Sequence, residues 1–262
     1  MTLINTNIIA IANQKGGVGK TTTVINLATA MAACNKKVLI IDSDPQGNAS
    51  TGLGLDKTVL KNSFYDLIRG DISINEVIVK TQIPNLFIIP TSMDLAVVEQ
   101  EFVNIEKREE RLKKEIEKIN IPFDYILIDC PPSLGLLTLN ALVACRNLLV
   151  PLQVEFYALE GLTQLMETVN QIKNNYNNLL TLQGIVLTMY DKRNKISELV
   201  ACDVKNFFKE KVYKTIIPRN VKISEAPSHG MPILMYDISC SGSQAYASLA
   251  AEIINQENKL NG

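Results

Sequence analysis

The chain has 262 residues and a formal net charge of −1, and 47% of its residues are hydrophobic. This composition supplies a sizeable core, whereas a charge so close to zero gives no general attraction to nucleic acid or to a membrane. No apolar run reaches the ~18 residues of a membrane span, and the N-terminus lacks the basic region of a secretory signal. The widely spaced cysteines form no C-x-x-C pair, which argues against disulfides or zinc and favours a reducing cytoplasm; they are Cys34, Cys130, Cys145, Cys202 and Cys240.

Short apolar runs of strand length alternate with longer helical patterns along the chain. The runs lack polar alternation, as expected of strands covered on both faces, and lie at 8–13, 37–42, 86–90, 124–129, 147–152, 182–189 and 212–218. Helical patterns lie at 20–33, 94–119, 158–175 and 196–210, with a final packing helix and a polar end in 243–262. This alternation predicts one α/β domain over 1–262, with a twisted, mostly parallel sheet and helices on both faces.

The first loop, NQKGGVGKTTT from Asn13 to Thr23, lies between a predicted strand and a predicted helix. It fits most of the phosphate-binding P-loop pattern G-x-x-x-x-G-K-[ST], but Gln14 stands where the first glycine belongs. The glycines permit close backbone approach, so that loop N–H groups and the helix N-terminus face the phosphates. The predicted nucleotide contacts are Gly16, Gly17, Val18, Gly19, Lys20, Thr21 and Thr22.

Two lysines occupy this loop. Lys20 stands where a P-loop lysine neutralises the β- and γ-phosphates, and the next residue, Thr21, is placed to coordinate Mg²⁺ through its hydroxyl. Lys15 is a second cation five residues earlier, for which the ordinary pattern gives no role. From the loop alone, a solvated lysine is the alternative interpretation of Lys15.

Carboxylates follow two of the predicted strands. Asp42 and Asp44 come at the end of VLIID in VLIIDSDPQGN, and Asp129 ends YILID in YILIDCPPS. Because the carboxyl ends of parallel strands lie beside the P-loop crevice, we expect the three to meet there, although any one Asp could simply cap a turn. We assign Asp129 and Asp42 to the Mg²⁺ shell and Asp44 to orienting the attacking water.

The motifs together resemble those of the ParA/Soj partition ATPases, within the wider group that carries a deviant Walker A loop. The matching stretches are KGGVGKTT, IDSDPQGN, DYILIDCPPSLG, VPLQVEFYALEGL and IPRNVKISEAPSHGMPI, so the resemblance covers nearly the whole chain. It implies the P-loop NTPase fold, ATP and Mg²⁺ as ligands, and Mg-dependent hydrolysis of ATP to ADP and phosphate. The catalytic residues that it implies are Lys15, Lys20 and Asp44.

The resemblance also gives Lys15 a role. In the group, the extra lysine reaches across a homodimer to the partner's bound phosphates, so that dimerisation depends on ATP rather than ADP. Gly16 would then sit at the close-approach point of a sandwich dimer. Adenine is expected near Thr188 and Met189 and the IPRN loop, where Pro218 and Asn220 are the expected contacts.

A basic segment runs from Asp191 to Lys222, with nine Lys or Arg against four acidic residues. Composition alone allows an ordinary solvated face, but the family resemblance implies an ATP-bound dimer that binds double-stranded DNA without sequence preference. The expected DNA contacts are Arg193, Lys222, Arg219, Lys192 and Lys195. The implied partner is a ParB/Spo0J-type centromere-binding protein that stimulates slow hydrolysis, and the implied location is the nucleoid.

Two other functions of the same ATPase group remain open at this point. A membrane-positioning ATPase of the MinD type normally ends in a basic amphipathic helix, which this tail does not resemble, so no membrane partner is expected. An iron-protein type of redox ATPase needs two suitably spaced cysteine ligands, and neither Cys130 nor Cys145 fits that spacing. The only histidine, His229, is interpreted as structural because no catalytic or metal-binding partner pattern accompanies it.

Overall fold

Eight strands form one sheet in the computed structural model, which describes residues 6–56 and 60–261. The order across the sheet is β3-β4-β2-β5-β1-β6-β7-β8, and every pairing is parallel except that of β3 with β4. The strands are β1 (Asn7–Ile11), β2 (Val38–Asp42), β3 (Val79–Lys80), β4 (Leu86–Ile89), β5 (Tyr125–Asp129), β6 (Asn147–Gln153), β7 (Thr181–Tyr190) and β8 (Val212–Pro218). The predicted mostly parallel sheet is confirmed.

Helices pack on both faces of this sheet. They are α1 (Lys20–Ala33), α2 (Asn48–Gly52), α3 (Phe64–Arg69), α4 (Ile74–Val77), α5 (Val98–Glu101), α6 (Arg111–Ile116), α7 (Leu136–Ala144), α8 (Ala158–Asn175), α9 (Lys195–Phe208), α10 (Val221–Glu225), α11 (Ile233–Tyr236) and α12 (Ser241–Asn261). Short 3-10 helices lie at Met93–Val97, Arg108–Glu110, Lys209–Lys211 and Ala226–His229.

The two faces of the sheet bury separate cores because successive side chains of a strand point to opposite sides. On one face, Ile9 and Ile11 of β1 pack with apolar side chains of α1 and α12, such as Leu27 and Tyr246. On the other face, Ala10 belongs to a larger core that α3 and α6 to α9 cover. The strands are therefore apolar on both faces, as their sequences predicted.

The strand order places the first loop at the centre of the sheet edge. β1 pairs with β5 on one side and with β6 on the other, so the chain leaves β1 between two parallel neighbours. β2 lies beyond β5, and β7 lies beyond β6. A crevice of this kind, outside the carboxyl ends of the strands, is where open α/β sheets bind ligands.

The prediction of a continuous helix over 94–119 is wrong. This segment contains only α5, α6 and two 3-10 turns, and Lys107 between them adopts a left-handed conformation with φ of 53°. A left-handed residue cannot continue a right-handed helix, so the pattern breaks there. The charges of the segment nevertheless pair at helical spacing, with 3.0 Å between Lys114 Nζ and Glu110 Oε2.

The C-terminal helix is confirmed, but the polar end expected after it is wrong, because α12 continues to Asn261. The sequence patterns also did not predict strand β3 or the short helices α2, α3, α4, α10 and α11. Elements of two to six residues contain too few positions to show a hydrophobic period.

Packing between β7 and β8 depends on a glycine. A β-carbon at Gly184 would lie 2.4 Å from the ring of Tyr213, a side chain with only 2% exposure. We expect Gly184→Ala to lower the free energy of unfolding by about 1–3 kcal/mol, because a buried aromatic ring would have to shift. Urea unfolding of nucleotide-free protein measures this.

The matched control is Gly161→Ala in α8, where a β-carbon would meet no atom of the described residues within 4 Å. We expect the free energy of unfolding of this variant to rise by about 0.5–1 kcal/mol, because alanine has the better helix propensity. Equal stability of the two variants would show that the Tyr213 ring is not fixed against Gly184.

Candidate functional site

The loop between β1 and α1 is shaped by glycines at its far end. Gly17 and Gly19 have φ of 74° and 91°, a left-handed region that favours glycine, and Gly19 is the N-cap of α1. No side chain caps this 14-residue helix, so its first N–H groups are available to an anion. Thr21 and Thr22, both partly exposed, lie in its first turn.

Lys20 lies inside the site rather than in solvent. Only 7% of it is exposed, and its Nζ donates a hydrogen bond of 3.0 Å to the carbonyl oxygen of Lys15. Burial lowers the pKa of Lys20, whereas the carboxylates of Asp129 and Asp44 act to raise it. The Lys20 ammonium therefore lies between the backbone of the first loop and the carboxylates of Asp129 and Asp44.

Lys15 lies at the outer edge of the same loop, with 53% of its side chain exposed. Its backbone N–H donates to Asn13 Oδ1 at 3.0 Å, and Asn13 Nδ2 donates to the carbonyl oxygen of Pro151 in β6 at 2.8 Å. The Lys15 ammonium forms an ion pair with Glu155, just beyond β6. The two lysines of the loop therefore have different environments.

Asp42 and Asp129 are adjacent in the pairing of β2 with β5, and both are completely buried. Burial, followed by the charge of Asp42, raises the pKa of Asp129 well above its usual range, while the Thr21 hydroxyl and Lys20 act to lower it. Within the described residues, neither carboxylate oxygen of Asp129 makes a hydrogen bond of ordinary geometry. These buried acceptors can be satisfied by a cation.

The loop after β2 is held by hydrogen bonds around its two acids. Ser50 of α2 donates to Asp42 Oδ2 through its hydroxyl at 2.7 Å and its backbone N–H at 2.9 Å. Asp44 is 7% exposed and accepts a bond from the backbone N–H of Gln46 at 3.0 Å. Asp44 is close enough to Lys20 and Asp129 to affect the pKa of each.

These residues fit a magnesium ion whose coordination shell also includes phosphate oxygens. Among the described residues, no three His, Cys, Asp or Glu side chains form a protein-only metal cage. Mg²⁺ does not need one, because it keeps several waters and takes one or two protein oxygens together with phosphate oxygens. Thr21, Asp42 and Asp129 are the residues that could hold it.

The ends of β7 and β8 form the other side of the crevice. Thr188 Oγ1 donates a hydrogen bond of 2.9 Å to the carbonyl oxygen of the buried Val18, which ties β7 to the first loop. Met189 has a left-handed φ of 54°. Pro218 is paired in register with Tyr190, and Asn220 caps α10 by accepting the N–H of Lys222 at 2.9 Å. The structure thus brings Met189, Pro218 and Asn220 to one edge.

The cations of the basic segment 191–222 do not form one local patch, because the fold divides them between two edges of the sheet. α9 runs back along the sheet for 14 residues, which separates its ends by about 20 Å. Five of the nine cations lie at the edge that carries the first loop: Lys192, Arg193, Lys195, Arg219 and Lys222. The other four lie at the opposite edge: Lys205, Lys209, Lys211 and Lys214. All the predicted DNA contacts fall in the first group.

Two of these five cations have acidic partners. Arg193 donates two side-chain hydrogen bonds to Asp191, at 3.0 and 2.8 Å, and these lower the pKa of Asp191 to about 2. The hydrogen bond and ion pair of Lys222 with Asp237 likewise lower the pKa of Asp237 to about 2. Both pairs include an exposed cation, so they are weak in water and open to exchange.

The two other residues considered from the sequence, Cys130 and His229, make packing contacts. Cys130, next to Asp129, is completely buried, as expected of a packing residue. His229 is exposed and stacks on Tyr236, with 5.1 Å between ring centroids.

Sequence reasoning missed three residues that organise the site: Asn13, Ser50 and Glu155. Asn13 was visible as the first polar residue after an apolar strand. Ser50 lies eight residues after Asp42, and Glu155 lies 140 residues after Lys15, so no local pattern connects either pair. Only the folded chain reveals these partners.

The chain is similar to known proteins over most of its length. A family model described as an AAA domain matches residues 6–182. The chromosome partitioning protein ParA of Caulobacter vibrioides is 54% identical over 95% of this chain and 94% of its own length. The sporulation initiation inhibitor protein Soj of Bacillus subtilis is 49% identical over 94% of this chain and 97% of its own length.

Among solved structures, cobyrinic acid a,c-diamide synthase from Mycobacterium smegmatis, with bound ADP and magnesium, has a TM-score of 0.85 and 34% identity. That match covers 97% of this chain and 96% of the other. No helix among residues 6–56 and 60–261 has the length and apolar character needed to span a bilayer.

The buried acids generate a stability prediction. Because folding raises the pKa of Asp129, the folded protein holds this proton more tightly, and stability falls as pH rises above the ordinary Asp range. We expect Asp129→Asn to raise the free energy of unfolding at pH 7 in EDTA by about 1 kcal/mol or more, since each relieved pKa unit is worth about 1.4 kcal/mol.

Urea unfolding from pH 4 to 8 measures this effect, and the variant should show a smaller decline with pH. With ATP and Mg²⁺ the order should reverse, because the unaltered protein gains binding energy that the variant lacks. A variant less stable in EDTA would show that Asp129 has a stabilising partner in the protein.

Proposed function

The chain belongs to the ParA/Soj family of partitioning ATPases, and on this premise we propose that it is an ATP-driven switch for DNA segregation. ATP joins two copies of the chain, the dimer binds double-stranded DNA of the nucleoid without sequence preference, and hydrolysis releases it. A ParB/Spo0J-type centromere-binding protein stimulates the slow hydrolysis. The chain is 54% and 49% identical to the ParA and Soj relatives but 34% identical to the cobyrinic acid a,c-diamide synthase, so a partition function is favoured over a synthase activity.

The observation that carries the proposal is the unequal placement of the two lysines on one loop. Lys20 is buried beside the acids, whereas the half-exposed Lys15 lies at the outer edge of the loop. A β-carbon at Gly16 would meet no described atom within 4 Å, so the fold of a single copy does not explain a glycine there. Both features suit a surface that meets a second copy.

Dimerisation then depends on the number of phosphate charges that the bound nucleotide carries. Lys15 and Lys20 carry like charges, and several phosphate charges between them are needed to hold both close together. The γ-phosphate supplies the additional charge, which favours a Lys15 contributed by the second copy. ADP lacks that phosphate, so the dimer should separate after hydrolysis.

The chemical step depends on positioning and charge. The loop N–H groups and Lys20 bind the β- and γ-phosphates, and Thr21, Asp42 and Asp129 hold Mg²⁺ directly or through water. Mg²⁺ supplies neutralisation of the phosphate charge that develops during transfer. Asp44 orients the attacking water, and Met189, Pro218 and Asn220 enclose the adenine.

DNA binding is assigned to the five cations at the nucleotide edge. Phosphate groups would replace Asp191 as the partner of Arg193 and Asp237 as the partner of Lys222. Contacts of this kind release counterions and carry no sequence information. The proposal therefore accounts for binding without base recognition.

The two other functions are less well supported by the described residues. α12 packs through Tyr246, Leu249 and Ile253 against the core, so these apolar side chains are already used and cannot insert into a membrane. Cys130 and Cys145 are both buried, with 0% and 2% exposure, so they do not form a surface site for a cluster between two copies.

The first experiment compares binding to a random-sequence DNA duplex without nucleotide, with ADP and with ATP. We expect binding only with ATP, and loss of both dimerisation and DNA binding in Lys15→Ala, because the lysine that joins the copies is absent. Fluorescence anisotropy of labelled DNA and light scattering measure the two steps.

Flotation with anionic liposomes under the same nucleotide conditions is the control for a MinD-type activity. ATP-dependent liposome binding without DNA binding would contradict the proposal. DNA binding that does not change with nucleotide would separate DNA affinity from the ATP switch.

The division of the basic segment gives a second prediction. With ATP present, Arg193→Ala should weaken DNA binding and reduce the slope of log affinity against log salt by about 2 for the dimer, because one phosphate contact is lost from each copy. Lys205→Ala removes the same charge from the far end of α9 and should change neither quantity. Equal effects of the two variants would place the DNA elsewhere.

A further inference from the structure

The ion pair between Lys15 and Glu155 joins the dimer-forming lysine to its own chain. Glu155 is the second residue beyond the end of β6, and 29% of its side chain is exposed. Its carbonyl oxygen accepts the N–H of Ala158 at 3.0 Å, which fixes it at the start of α8. The carboxylate therefore stands on a defined turn.

The backbone on the lysine side is also fixed. Asn13 bonds both to the N–H of Lys15 and to the carbonyl oxygen of Pro151, and thus sets the distance between the first loop and β6. The Lys20 ammonium donates to the Lys15 carbonyl oxygen, so the backbone of Lys15 is held at both its N–H and its C=O. With both backbones held, the pairing requires only the two side chains to rotate.

The single ammonium of Lys15 cannot pair with Glu155 and contact the phosphates of a second copy at the same time. The ion pair with Glu155 must break before the dimer contact forms. We infer that Glu155 is a positioning residue that holds Lys15 against its own chain until a second copy, loaded with ATP, offers a stronger anion. This inference rests on the proposed function, since it assigns a regulator to the same lysine. Glu155 thereby raises the ATP concentration at which dimers form.

The effect should be modest. Lys15 is 53% exposed and Glu155 29%, and ion pairs with this much contact with water shift an equilibrium by about two- to five-fold. A restraint of that size suits a switch, because it suppresses dimers at low ATP without preventing them at high ATP.

The test uses Glu155→Gln, which keeps the size of the side chain and removes its charge. Glu160→Gln is the matched control, because it removes an exposed carboxylate from the first turn of α8, five residues after Glu155. Glu155→Asp is the conservative variant, which retains the charge. All are compared by acetylation of Lys15 with an N-hydroxysuccinimide ester, measured by mass spectrometry, and by ATP titration of dimerisation, measured by light scattering.

We expect Glu155→Gln to acetylate faster at Lys15 in nucleotide-free protein, because the ion pair need not open before the amine reacts. We also expect its half-maximal ATP concentration for dimerisation to fall about two- to five-fold. Glu160→Gln should match the unaltered protein in both measurements, and Glu155→Asp should lie closer to it than Glu155→Gln does.

An unchanged acetylation rate in Glu155→Gln would overturn the inference, because the pair would not restrain Lys15 in solution. Faster acetylation with a higher ATP requirement would also overturn it, since Glu155 would then support the dimer rather than oppose it. If acetylation rises but no protein, including the unaltered one, dimerises with ATP, the proposed function fails, and the control of dimerisation assigned to Glu155 fails with it.

Discussion

The candidate site is organised around two carboxylates buried side by side. Asp42 and Asp129 are neighbours in register at the ends of β2 and β5, with Lys20 and Asp44 close by. Such an arrangement is costly when both groups are ionised, because burial and like charge both oppose ionisation. The parallel strands enforce it nevertheless, since their order fixes which side chains meet at this edge. The site therefore stores an unfavourable charge arrangement that a cation and a phosphate can relieve.

Around this centre, the two lysines of the first loop differ in burial and in bonding. Lys20 is committed to the interior by burial and by its bond to the loop carbonyl, whereas Lys15 is held only by a partly exposed ion pair. A buried contact sets where phosphate binds, and an exposed one can exchange partners at low cost. A stable site and a reversible association can thus be built from one short loop.

Sequence was sufficient wherever a function follows from local pattern. The P-loop, the three acids and seven of the strands were predictable, because apolar runs ending in Asp mark the carboxyl edge of a parallel sheet. It was insufficient where function depends on long-range pairing, as with Ser50 on Asp42 or Glu155 on Lys15. A linear charge count also could not show that α9 carries half of the basic segment to the opposite edge. The prediction of a helix over 94–119 failed because one left-handed residue, Lys107, interrupts the segment.

The hydrogen bond from Thr188 to Val18 gives the sheet edge a further property. Thr188 is bonded to the first loop, and Arg193, one of the proposed DNA contacts, follows it by only five residues, so one short segment joins the proposed nucleotide and DNA surfaces. Binding linkage is reciprocal: any gain in DNA affinity conferred by ATP must be returned as an equal gain in ATP affinity on DNA. If the proposed switch operates, a molecule bound to DNA would therefore bind ATP more tightly than one in free solution, and the DNA would act as a reservoir of the ATP-bound form.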